Sequence, residues 1–142
     1  MGNQKQRIPD IVWVLCLMVG ITMASGTSQL ATPDIELFIS KDKLVHFLVF
    51  GLLATSIIRM PKVQNMGWKG AVTTVCAVSL FGAADELHQS FTPGRMVEIA
   101  DWVADTLGAL LAVVLYCKWR WYRSLLEKTP QKRPQPKTEP AS

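Results

Sequence analysis

The stretch Trp68–Arg95, WKGAVTTVCAVSLFGAADELHQSFTPGR, decides how the rest of the chain is read. From Gly70 to Ala84 it carries no charge, and it then runs directly into Asp85, Glu86, His88 and Gln89. A soluble amphipathic helix would place a polar residue at every third or fourth position. This segment does not, and Trp68 to Gln89 is long enough to cross a hydrocarbon core of about 30 Å at about 1.5 Å per residue. Its polar residues arrive together at one edge. Thr92-Pro93-Gly94-Arg95 then reads as a turn, with proline fixing φ at the first central position and glycine supplying φ > 0 at the next.

Working outward, three further segments share this texture. Ile11 to Gly26 and Leu107 to Cys117 are free of charge, and so is Leu44 to Ile58 apart from His46. Extended to helical length they become Ile11 to about Gly26, Asp42 to Arg59 with Pro61 as a stop, and Glu98 to Lys118. The expected fold is therefore all-α: a polytopic membrane protein built as a bundle of four transmembrane helices. Residues 1–10 form a cytoplasmic leader, 11–122 the membrane domain, and 123–142 a disordered tail in which Pro130, Pro134, Pro136 and Pro140 alternate with charges. The polar connection from Thr27 to Lys41 has room for a short amphipathic surface helix. Small residues four apart, at Gly20 and Ala24, Ser79 and Ala83, and Gly108 and Ala112, are candidate close contacts between helices. Cys16, Cys76 and Cys117 match no zinc or redox spacing and are expected to be small buried hydrophobes.

The chain carries 15 Lys and Arg against 11 Asp and Glu. Twelve of the basic residues precede the first helix, join the second to the third, or follow the fourth, and three (Lys41, Lys43 and Arg95) lie in the other two connections. By the positive-inside rule both termini face the cytoplasm. The basic excess is then a topology signal with some attraction to anionic membrane lipids, and nucleic acid is not an expected partner. The expected location is the bacterial plasma membrane, with several passes.

The outward edge gathers Asp42, Lys43, His46, Asp85, Glu86, Gln89, Arg95, Asp101 and Asp105, which we take as the candidate ligand-binding residues. Helical spacing puts Asp42 with His46 on one stripe, Asp85 with His88 and Gln89 on a second, and Glu98, Asp101, Asp105 and Gly108 on a third. A charge at the centre of a membrane helix costs roughly 2.5–3.5 kcal/mol, so the three stripes should face one another. Such a network can simply pin helix ends together. Its carboxylates nevertheless outnumber its fixed cations, which favours a ligand or catalytic site over a purely structural one. No HExxH or other metal signature occurs, although His46, Asp85, Glu86 and Asp101 are a chemically permissible set. The expectation is no metal and no cofactor. No Walker loop, G-x-S-x-G elbow or outward Cys–His pair occurs either.

Two motifs in this cluster, and a third that follows it, resemble the VanZ-like family of small bacterial membrane proteins. Asp42-Lys43-Leu44-Val45-His46-Phe47, continued by Phe50, is similar to the family's D-K-x-x-H-F opening. The run from Asp85 to Arg95 is similar to its D-E-x-x-Q-x-F-x-P-G-R signature. Asp101 and Gly108-Ala109 sit where the family has D-x-x-x-N-x-x-G-A, with Asp105 replacing the usual Asn. The resemblance runs from about Lys41 to Ala112 and gives His88 no role. It implies an integral membrane protein of a family in which some members are linked to resistance to teicoplanin and related lipoglycopeptides, without supplying a reaction.

The expected function is binding of an envelope component or lipophilic antibiotic at the outer leaflet. Arg95 and Lys43 would engage an anionic group, Asp85, Glu86 and Asp101 would hold Arg95, and Gln89 would orient the ligand. One alternative is an enzyme on a lipid-linked or cell-wall substrate, with Asp85, Glu86 or His46 as acid or base. The other is a scaffold for further membrane proteins.

Overall fold

A computed structural model describes residues 8–27, 41–93 and 97–119, together with Ser124 and Leu126. Five helices occur among them: α1 (Ile8–Thr27), α2 (Lys41–Ile58), α3 (Pro61–Asn65), α4 (Trp68–Gln89) and α5 (Ile99–Lys118). No strand occurs among the described residues, so the all-α expectation holds. Most of the leader, the connection from residue 28 to 40, residues 94–96 with Arg95, and nearly all of the tail lie outside the described residues.

Two of the four expected spans, α4 and α5, are by themselves long and apolar enough to cross a membrane. The apolar part of α1, Asp10–Gly26, is shorter, and α2 is 18 residues opening on Lys41, Asp42 and Lys43. The short helix α3 is a departure from expectation. Pro61 lies just beyond the end of α2, as a helix stop should, yet it also begins a new helix. Proline at the first helical position gives up an N–H that has no intrahelical partner there anyway, and its φ already suits a helix. Met60 accepts from Val63 and Gln64, which closes the turn.

The core forms where α2, α4 and α5 meet. Phe50, Leu53, Ala54 and Ile58 from α2, Val78 from α4, and Ala109, Ala112, Val113 and Tyr116 from α5 are buried together, and Val14 and Ile21 bring α1 onto the same cluster. α2 and α5 run parallel and share the most extensive contact, with α4 antiparallel to both. Glycine makes the parallel pair fit. A Cβ on Gly108 would overlap the backbone carbonyl of Phe47, and one on Gly51 would come within 3.2 Å of the Gly108 carbonyl. Of the three small-residue pairs, Gly108 with Ala112 is thus a helix contact, whereas Gly20 has nothing within 4 Å of its would-be Cβ. Ser79 acts through hydrogen bonds: its Oγ meets the Thr106 hydroxyl at 2.8 Å, and its carbonyl accepts from Trp102 Nε1 at 3.0 Å.

The surface is inverted relative to a water-soluble bundle. Leu44, Val45, Leu48, Leu80, Leu107 and Leu111 are exposed, while Asp85, Glu86, Gln89, Asp101 and Asp105 are buried. All three cysteines are exposed. This corrects their reading as buried hydrophobes: they lie on the outward faces of α1, α4 and α5, where the apolar residues also point. At the end away from the carboxylates, Gln64 Nε2 donates to the Tyr116 hydroxyl at 2.6 Å, which ties the α3 turn to the last turns of α5.

Candidate functional site

The N-terminal turns of α2 and α5 lie side by side, and the last turns of the antiparallel α4 come up beside them. Helix N-termini carry partial positive charge, which suits Asp42 and Asp101 in the first turns of α2 and α5. The parallel register set at Gly51 and Gly108 also determines which polar residues meet. His46 Nδ1 lies 3.0 Å from Asp105 Oδ1, both side chains being buried. One turn nearer the end, Lys43 Nζ donates to Asp101 Oδ1 at 3.1 Å and to Glu98 Oε2 at 2.8 Å. The carboxylates of α5 therefore address α2 in two layers, the outer one half-open and the inner one closed.

α4 contributes the remaining groups. Gln89 Nε2 donates to Asp85 Oδ2 at 3.0 Å, one turn back on the same helix. Glu86 Oε2 accepts the backbone N–H of Glu98 at 3.0 Å, so a carboxylate of α4 satisfies a donor just where α5 begins. The Glu98 side chain makes no capping hydrogen bond to α5, and Glu86 instead satisfies the N–H of the N-cap residue itself, the amide that the carboxylate of a capping box takes. Beneath this layer the His46 and Phe50 rings stack at 6.0 Å, and Phe50 meets Phe81 at 5.7 Å. Gly82 gives Asp105 its room: a Cβ there would sit 2.8 Å from Asp105 Oδ2.

Asp85, Glu86, Gln89, His46, Asp101 and Asp105 come together as a buried group from three helices, with Lys43 and Asp42 at its open edge. Arg95 falls outside the described residues. His88 is exposed and shares no face with Asp85 and Gln89. Lys43 is engaged by two carboxylates, which the sequence did not announce. Glu98 was placed on the right stripe but not among the candidate residues, and only its contact across to α2 reveals its part. Trp102, Ser79 and Thr106 form a separate polar clasp between α4 and α5 that spacing within one helix could not show.

The group is incompletely satisfied. Asp85 Oδ1, Glu86 Oε1 and Asp105 Oδ2 are buried and receive no hydrogen bond from the described residues. Buried polar atoms are paired in the large majority of cases, and an unmet one costs about 1–3 kcal/mol. Chemically, such a site can accept hydrogen bonds from a donor-bearing ligand or hold a cation.

These features define a class: an all-α bundle with apolar helices of membrane-crossing length and a buried, carboxylate-rich cluster at one end. The chain belongs to the VanZ/LLP1 family, whose sequence profile matches residues 11–122. The match takes in α1 as well as the three helices that carry the motifs. Family and helices together point to a membrane protein. No curated protein and no solved structure matches the chain.

Proposed function

We propose that the chain is a four-span protein of the bacterial plasma membrane, with both termini in the cytoplasm and the carboxylate cluster at the outer leaflet. There it binds the polar head of an amphiphilic envelope component or of a lipophilic antibiotic of the lipoglycopeptide kind, and through that contributes to resistance. The observation that carries this reading is the set of three buried carboxylate oxygens, on Asp85, Glu86 and Asp105, that accept nothing from the described residues. A network serving only to pin helix ends would gain by satisfying them, since a half-satisfied buried network costs more than it returns. Groups held ready for a ligand stay unmet until it arrives.

The placement in the membrane is supported by the exposed apolar faces of α1, α2, α4 and α5 and by the distribution of Lys and Arg. Hydrogen-bond donors on the ligand, amide or ammonium groups, would be taken by Asp85, Glu86 and Asp105, with Gln89 orienting them. Arg95 and Lys43 at the rim would meet anionic groups. The test is a set of charge-neutralising variants, Asp85→Asn, Asp105→Asn and Arg95→Ala, expressed in a susceptible host. Susceptibility to lipoglycopeptides is scored beside the amount of membrane-inserted protein. Lost protection at unchanged protein level is the expected outcome; full protection in all three variants would remove the cluster from the function.

A further inference from the structure

The sequence shows no metal signature, but the fold brings together residues that no linear spacing would group. One donor atom each from Asp42, His46 and Asp101 lies within 4.8 Å of the other two. Donors bound to one ion at about 2.1 Å lie roughly 3–4 Å apart, so side-chain rotations of under an ångström would close the set. We propose that Asp42, His46 and Asp101 form a binding site for a divalent first-row transition cation, with Asp105 as the residue that orients His46.

Three further observations bear on it. First, Asp105 holds Nδ1 of His46 at 3.0 Å. A carboxylate on one ring nitrogen fixes the tautomer and turns the other nitrogen, Nε2, into the ligand, an arrangement common behind metal-bound histidines. Second, Asp105 Oδ2 and Glu86 Oε1 are buried without a donor among the described residues, on residues 0% and 3% exposed, and both carboxylates lie within electrostatic reach of His46 and Asp101. Unmet buried negative charge beside the set is the environment a cation relieves. Third, the sequence supplies Asp42, Asp85, Glu86, Glu98, Asp101 and Asp105 here against Lys41, Lys43 and Arg95. Lys43 takes only Oδ1 of Asp101, and Oδ2 is the oxygen left for an ion. One imidazole with two carboxylates suits Zn2+ or Mn2+ better than Mg2+ or Ca2+, which favour all-oxygen sets. Asp42 is exposed, so the site opens outward and keeps coordination positions for water or an anionic group.

The proposal does not depend on which ligand the protein serves. The full chain, purified in detergent and stripped with chelator, is titrated calorimetrically with Zn2+ and separately with Mn2+, and Mn2+ binding is read independently by paramagnetic resonance. One site per chain is expected for at least one of the two ions. Asp42→Asn and Asp101→Asn should each weaken it by at least about tenfold, and Asp105→Asn by about 10–100-fold at an unchanged melting temperature. Asp10→Asn, on α1 and outside the set, should leave it unchanged. Asp42 is exposed, and the melting temperature of its variant is measured beside its affinity, so lost binding at an unchanged melting temperature decides the matter even if changes at His46 disturb the fold. Absence of stoichiometric binding of both ions, or equal affinity in the wild type, Asp42→Asn and Asp101→Asn, would overturn the site. The susceptibility assay is then read on Asp85→Asn and Arg95→Ala, which lie outside this set, so the two readings fail separately.

Discussion

At Lys43 one ammonium serves two carboxylates that differ in what they would lose. Glu98 is largely exposed and Asp101 is not, with side-chain accessibilities of 57% and 3%. An exposed pair contributes about 0–1 kcal/mol, whereas stripping the partner from a buried charge costs about 3–5 kcal/mol. Glu98→Gln should therefore change the unfolding free energy in detergent by under about 1 kcal/mol. Lys43→Met should cost clearly more, and equal effects would mean that Asp101 does not depend on Lys43. The same logic applies to Gln89, whose amide meets one oxygen of Asp85 while the other is already unmet. Gln89→Leu leaves both without a donor and should destabilise by about 1–3 kcal/mol, unless Asp85→Leu is made with it. Measuring the pair as a double-mutant cycle shows whether the two act as a unit.

Among the helices, the decisive contact is between α2 and α5. Gly108→Val places branched carbon where the Phe47 carbonyl already sits, so the helices must part and the layers His46–Asp105 and Lys43–Asp101 must part with them. A drop in melting temperature together with lost inserted protein is expected. Gly20→Ala meets open space and should leave stability unchanged or raise it by up to about 1 kcal/mol. If both variants behave alike, close packing of α2 on α5 is not what holds the cluster. The stripes themselves were legible in the sequence, because Asp42 with His46 and Asp101 with Asp105 recur at one helical turn and such residues must share a face. Their partners were not, since i, i+4 spacing describes one helix and says nothing of the register between two. That register comes from a glycine contact readable only as one small-residue pair among three. His88 shows the same limit: within one turn of both Asp85 and Gln89, it still falls on the exposed side. α3 went unseen because proline ends a helix and begins one equally well.

For the whole molecule, the distribution of charge and the distribution of burial have to agree on one orientation. Apolar residues face out along α1, α2, α4 and α5, and carboxylates face in at a single end. A bundle in water would reverse both, since burying an unpaired charge is costly in any solvent whereas exposing leucine is costless only in lipid. The carboxylate end is where α2 and α5 begin and α4 finishes, and the bases on its side of the sequence are Lys41, Lys43 and Arg95. The opposite end carries Arg59, Lys62, Lys69 and Lys118. The positive-inside rule therefore predicts that insertion leaves the carboxylate end outside. Paired reporters, one active only in the cytoplasm and one only outside it, give the measurement. Fusions at Met66 and Ser142 should report the cytoplasm, and fusions within 28–40 and at Pro93 should report the exterior. Moving the bias should move the protein: replacing Arg59, Lys62 and Lys69 with Gln while adding Lys within 28–40 should yield a mixed or inverted population. An unaltered orientation would mean that something other than these bases sets it, and a cytoplasmic signal at Pro93 in the wild type would place the carboxylates where no outer-leaflet ligand can reach them.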